Sequence, residues 1–256
     1  MSKRRRFIIT SVILSLGFIA IQFLDQRYRI ISIASLGVLT IFLFSWSLRE
    51  GLGWNMTLMS LVLPVYFTVS VGLFGFLLPT NIFTKIPPVI FYGLGIYALC
   101  LTSNIYTVSA IRTIALMRAA RGVGFVLSLI TYFLVYDTIL SLKTSIIITS
   151  LFVMFFSIPL FLQGFWAVHL EKKLNSQELR HSLFSGLVMA EIALLLFFWP
   201  VTVAVGSLFL TTSVYIILGL GQAQLEARLF RETVKEYLLV GFIVLLGMFL
   251  ATRWGG

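Results

Sequence analysis

The order of apolar and polar positions divides this chain into nine long apolar runs with short polar breaks between them. The runs cover roughly 7–24, 30–48, 58–79, 88–110, 122–142, 144–168, 183–199, 201–220 and 237–252. A helix rises about 1.5 Å per residue, so each run can cross, or nearly cross, a hydrocarbon layer about 30 Å thick. The stretch 183–220 is too long for one crossing, and Trp199-Pro200 interrupts it, which predicts a tight hairpin. Lys143 alone separates the fifth and sixth runs and predicts a second one. No soluble domain fits between any two runs. The expected fold is all-α, a polytopic helical bundle forming a single transmembrane domain over residues 1–256.

The longest connections, about 168–182 and 221–236, carry helical signals of their own. Asn175-Ser176-Gln177-Glu178 resembles a capping box that starts the seventh helix. The segment Gln222 to Tyr237 places Leu225 and Leu229 on one side and an i,i+4 pair, Arg228 and Glu232, on another. It reads as a helix lying at the inner interface or extending a span. Ile111 to Arg121 is less regular, because Arg112, Arg118 and Arg121 do not share one face opposite a clean apolar stripe. It reads as an amphipathic surface helix whose arginines meet lipid headgroups.

Composition strengthens the membrane reading. The chain is 59% hydrophobic and only 11% charged, with a mean hydropathy of +1.04. A soluble domain carries about 25% charged residues. The net charge of +10 would raise nucleic-acid binding if the charges formed one basic face. They sit instead in small clusters between apolar runs, so the expected surroundings are a lipid bilayer and other membrane proteins, with no nucleic acid.

The same clusters set an orientation. With the N-terminus inside, Lys3, Arg4, Arg5, Arg6, Arg49, Arg112, Arg118, Arg121, Lys172, Lys173, Arg180, Arg228, Arg231 and Lys235 fall on the cytoplasmic side. Only Arg27, Arg29, Lys85, Lys143 and Arg253 fall outside, so the C-terminus is expected outside a cell membrane. A missed span would invert every later loop and spoil the bias. Lys3 to Arg6 followed by Phe7 to Leu24 resembles a signal peptide. The apolar run is too long and Ala20-Ile21-Gln22 is no small-x-small site, so an uncleaved first span is expected.

Few residues are chemically equipped for more than packing. Among nine carboxylates, Glu191 and Asp137 alone lie within apolar runs. Glu191 is near the centre of the seventh, roughly 12 Å from its inner boundary, where an ionised group costs several kcal/mol, so it is expected to be neutral, hydrogen-bonded or next to water. It reads equally as a proton or cation site and as an acid bonded to a neighbouring helix. Ser182, Gly186 and Ala190 recur beside it and predict close helix contact, with Glu191 facing protein. Asp137 sits late in the fifth run and reads as an anchor at the interface or a partner of Lys143 or Lys85, with a solute or proton path as the alternative.

Gly93, Tyr97, Cys100, Asn104 and Thr107 share one face of the fourth run, and Gly124, Ser128, Thr131 and Thr138 share one of the fifth. The two stripes predict that these spans pack on each other, or that a polar cavity includes Asn104 and Tyr106. Pro64 and Pro159 interrupt the third and sixth runs. Gln163 and Gly164, just after Pro159, make the sixth the better candidate for a broken-helix site. Glu178-x-x-His181 has metal-ligand spacing, with His169 and Glu171 nearby, but capping and headgroup contact explain the same residues, and no metal or cofactor is expected. Cys100 is the sole cysteine, so no intramolecular disulfide can form. The His-Glu-x-x-His, Gly-x-Ser-x-Gly and phosphate-loop signatures are missing, which argues against an enzyme.

The segment from Leu101-Thr102-Ser103-Asn104-Ile105-Tyr106 through Ala110-Ile111-Arg112-Thr113-Ile114 to Leu116-Met117-Arg118-Ala119-Ala120-Arg121-Gly122-Val123-Gly124-Phe125 resembles a family of multi-span bacterial membrane proteins of unknown function. The resemblance implies a bacterial inner-membrane protein of the same layout and implies no activity. The leading expectation is binding or passage of a small or lipidic solute, with Glu191, Asp137, Asn104, Tyr97 and Gln163 as candidate contacts. A non-catalytic scaffold or assembly subunit is the first alternative and a lipid-processing enzyme the second.

Overall fold

The structure, a computed structural model, describes residues 2–24, 26–48, 54–78, 82–109, 116–171 and 175–252. Among them are nine α-helices: α1 (Lys3–Gln22), α2 (Arg29–Ser47), α3 (Trp54–Gly75), α4 (Ile82–Ser109), α5 (Met117–Ser141), α6 (Ile146–His169), α7 (Ser176–Phe197), α8 (Val203–Leu225) and α9 (Arg231–Ala251). All nine are long and apolar enough to cross a membrane, and the described residues contain no strand. Every apolar run thus became one helix.

The helices overshoot the runs most where polar residues border the hydrocarbon. α1 takes in Lys3 to Arg6, and α7 begins at Ser176. Hydropathy marks the lipid-soluble length, whereas backbone hydrogen bonding continues into the interface. Both tight turns are present. Leu142 and Lys143 close a turn onto Ile139 and Leu140, with Lys143 at φ 48°. Trp199 and Pro200 lie between α7 and α8, where the Val201 N–H donates to the Trp199 carbonyl.

Two expectations about connections are corrected. Gln222 to Tyr237 is not one interfacial helix; of the two readings, the extension of spans holds, from both sides. α8 runs on to Leu225, the chain reverses with Ala227 at φ 55°, and α9 starts at Arg231. Arg228 therefore pairs with Glu226 at 3.6 Å, and Glu232 with Lys235 at 2.9 Å, instead of Arg228 with Glu232. Within Ile111 to Arg121, residues 117–121 form the first turns of α5 rather than a surface helix, and residues 111–115 lie outside the described residues.

The chain forms two compact units, residues 1–131 with 170–173, and residues 132–169 with 174–256. In the first, α1 packs on α2, α2 on α3, α3 on α4 and α4 on α1, a closed ring of four helices. Its core is Leu14, Phe18, Phe67, Tyr92 and Ile96, all almost fully buried, with the Phe18 and Phe67 rings 5.0 Å and 6.0 Å from that of Tyr92. A hydroxyl chain runs through it: Thr40 donates to Thr68 at 3.1 Å, and Thr68 meets the Tyr92 Oη at 3.1 Å. The Thr40 hydroxyl also reaches the Leu36 carbonyl of its own helix at 2.8 Å, and the chain ties three helices at one level in an apolar interior.

In the second unit α6 and α7 make the most extensive pair, α8 packs on both, and α9 packs on α8. Gly186 of α7 lets the α6 backbone come close, since a Cβ there would strike Ile158. The C-terminal half of α5 joins through Tyr132 and Tyr136, which bond the Ser157 carbonyl at 3.2 Å and its hydroxyl at 2.7 Å. α9 is loosely held: Met248 is its only buried residue. It is tied at Tyr237, whose ring lies 4.8 Å from that of Tyr215 and over Gly219, and at Thr252, whose hydroxyl accepts from the Trp199 indole at 2.7 Å.

Candidate functional site

In the first unit the small face of α4 is split between two neighbours. Gly93 faces α1, where its carbonyl accepts from the Ser11 hydroxyl at 2.7 Å and Ser15 fills the space a side chain would take. Further along, Thr102 and Tyr106 meet Gly124 of α5, and the Tyr106 hydroxyl donates to the Ala120 carbonyl at 3.3 Å. The fourth and fifth spans do meet, but only toward the α4 C-terminus. The α5 hydroxyls do not cross to α4. Ser128, Thr131 and Thr138 each donate to the carbonyl four residues back, at 2.7 to 2.8 Å. One turn up a helix is the nearest acceptor for a serine or threonine, and this explains why a polar stripe need not be a helix contact.

The α1–α4 seam opens into a groove of about 460 Å³. Ile8, Val12, Ile90 and Leu94 form apolar banks, and Ser15 and Tyr97 add hydroxyls. Tyr97 is half-buried there. Asn104 is half-buried two turns further along the same helix. Arg118 is exposed, and Arg121 is half-buried within electrostatic reach of Tyr106. Arg112 lies outside the described residues.

In the second unit Asp137 is buried, and the Ser207 hydroxyl of α8 meets its Oδ1 at 3.2 Å. Its partner within the second unit is thus a serine and not Lys143. Lys143 is exposed in its turn, and the Lys85 ammonium, in the first unit, donates to the Gln22 carbonyl at 3.4 Å, at the carbonyl end of α1. The same Ser207 hydroxyl lies 3.0 Å from the Ala204 carbonyl, so its single proton is shared between two acceptors. Gln163 is buried, and its neighbour Gly164 receives the Gln222 amide at 2.9 Å through its carbonyl.

Glu178 is 1% exposed, and its carboxylate faces His169 Nδ1 at 3.6 Å. The i,i+3 spacing to His181 is therefore not the pairing the fold uses. His181 lies edge-on to the Phe165 ring. Asn175 caps α7 as expected, accepting from the Gln177 N–H at 3.0 Å. Among the described residues no three histidine, cysteine, aspartate or glutamate side chains converge as metal ligands would.

Glu191 is the largest correction. Its side chain is exposed. The face that α7 buries runs through Ser182, Ser185, Gly186, Met189, Ala193 and Leu196. At about 100° per residue Glu191 points almost directly away from Met189. The small-residue stripe does mark the helix contact, with α6, but residue 191 falls on the other side of the helix. None of the clefts along the α1–α4, α6 or α7–α8 surfaces includes Glu191.

Residues 6–251, nearly the whole chain, match the family described as Protein of unknown function (DUF5656). The chain belongs to this family. No curated protein and no solved structure matches it. This DUF5656 member is a multi-pass helical membrane protein, and its family carries no assigned activity to transfer.

Proposed function

We propose that this DUF5656 protein binds a lipidic molecule laterally, in the groove between α1 and α4, in a bacterial inner membrane with its N-terminus in the cytoplasm. The observation that carries this reading is the groove itself: about 460 Å³ of mainly apolar wall edged by the Ser15 and Tyr97 hydroxyls. That size is within the range of small-molecule sites. Apolar banks suit an acyl or prenyl chain, and the hydroxyls suit one polar atom on it. The basic excess assigned to the inner loops supports the orientation. A proton-coupled carrier built around Glu191 receives less support, because that side chain lies on an outer helix face.

The test is labelling with a lipid that carries a photoactivatable group on its acyl chain, followed by peptide mapping. Adducts are expected on residues 8–15 and 89–97, and Val12→Trp should reduce them several-fold while thermal stability in detergent is kept. Equal labelling of other exposed apolar residues, such as Phe42 and Leu250, would overturn the reading.

A further inference from the structure

We infer that the outer face of α7 is a self-association surface, on which two copies of this chain pair in parallel through Glu191. The inference is independent of the α1–α4 groove. Arg180, Phe184, Leu187, Glu191, Leu194 and Phe198 are all exposed. Their spacing of four, three, four, three and four residues is the seam of two helices crossing at a shallow angle. Glu191 lies at the middle of that seam, about 12 Å from the start of the apolar part of α7 at Leu183 and about 9 Å from its end at Phe197. Phe184 and Phe198 flank it about two turns away on each side, 70% and 74% exposed.

Hydrocarbon can cover the leucines and phenylalanines of this face without loss. It cannot hydrogen-bond a carboxyl group, and a polar group left bare at that depth costs several kcal/mol. The occupant must therefore bring a donor and an acceptor to the depth of residue 191. A second copy does so by construction. All copies insert with the same orientation, so a twofold axis normal to the membrane sets each residue of the seam opposite its own counterpart. Two carboxylic acids facing each other satisfy both donors and both acceptors in a pair of O–H···O bonds. A single polar position within an apolar heptad seam also fixes register and partner number. The two Arg180 side chains, at the seam's end, are long enough to diverge to the headgroups.

The sole cysteine, Cys100, is fully buried, which makes the test direct. In a Cys100→Ala background, Leu187→Cys and Leu194→Cys would be oxidised in intact membranes. Any disulfide must then join two chains. Both variants are expected to give homodimers, whereas Phe42→Cys on α2 should give at least fivefold less. In the same assay Glu191→Gln, which keeps a donor and an acceptor, should preserve the dimer. Glu191→Leu should lower its association about tenfold, the scale of one or two intramembrane hydrogen bonds. Cross-linking no stronger than at residue 42, capture of a different protein by residues 187 and 194, or an unchanged dimer in Glu191→Leu would each overturn the inference. Thermal unfolding of Glu191→Leu near that of the parent chain would show that the monomer fold is intact.

Discussion

Single residues divide here into those that tie helices together and those that answer to their own helix. Thr68 belongs to the first kind, since it links Thr40 and Tyr92 in a buried core. Thr68→Val keeps the volume and deletes both bonds, so it is expected to destabilise the first unit by about 1 kcal/mol, read from thermal unfolding in detergent. Asp137 is another tie. Asp137→Asn retains a partner for Ser207 and should be nearly neutral, whereas Asp137→Leu should cost about 1–2 kcal/mol. If Asp137→Asn instead abolished an activity while leaving stability unchanged, anchoring would be the wrong account of it. Sequence singled out Asp137 because a carboxylate inside an apolar run stands out. It could not supply Ser207, which sits seventy residues away and looks like any other serine in a span. The reverse holds for the α5 hydroxyls, whose spacing suggested contact but whose bonds are local.

At the scale of elements, apolar run length was nearly sufficient. Each of the nine runs became a helix because a backbone in hydrocarbon must satisfy its own hydrogen bonds. Helix ends and facing were less legible. Ends continue into the interface, where hydropathy is silent. Facing depends on which neighbour each helix meets. The small residues Ser182 and Gly186 did indicate the buried side of α7, but projecting Glu191 onto that side ignored its angular offset. Gly186→Leu follows from the correct facing. The larger side chain would push α6 away at Ile158, with an expected loss of about 1–3 kcal/mol in unfolding experiments. α9 offers a different test, because its C-terminal end is held by the Trp199–Thr252 bond. Trp199→Phe should increase hydrogen exchange at the last turn of α9 severalfold and leave α6 and α7 unchanged. Protection that did not move would assign the hold to packing alone.

For the molecule as a whole, the sequence predicted a multi-pass helical protein, and the nine helices agree with it. The division into a four-helix ring and a second helical unit had no counterpart in the sequence. The boundary falls within α5, between residues 131 and 132, where hydropathy shows no break. A contact pattern built by pairs distant along the chain leaves no local mark. The orientation, in contrast, is a property of the loops. Alkaline phosphatase fused after Gly256 is expected to be active and the same fusion after Ala227 inactive. The opposite result would reverse the proposed topology.

The slight burial of α9 also bears on how this protein tolerates change. Most side chains of that helix are exposed and answer to solvent properties of the bilayer rather than to a fitted neighbour. A combinatorial library exchanging its outward leucines, isoleucines and valines among themselves should yield mostly well-expressed variants. The same exchange in α3, where Leu63, Phe67 and Val71 are buried, should yield few. Drift in sequence would then accumulate on the outward positions of the C-terminal helix, constrained at Tyr237, at Gly241 where Ile216 leaves no room for a side chain, at Met248 and at Thr252.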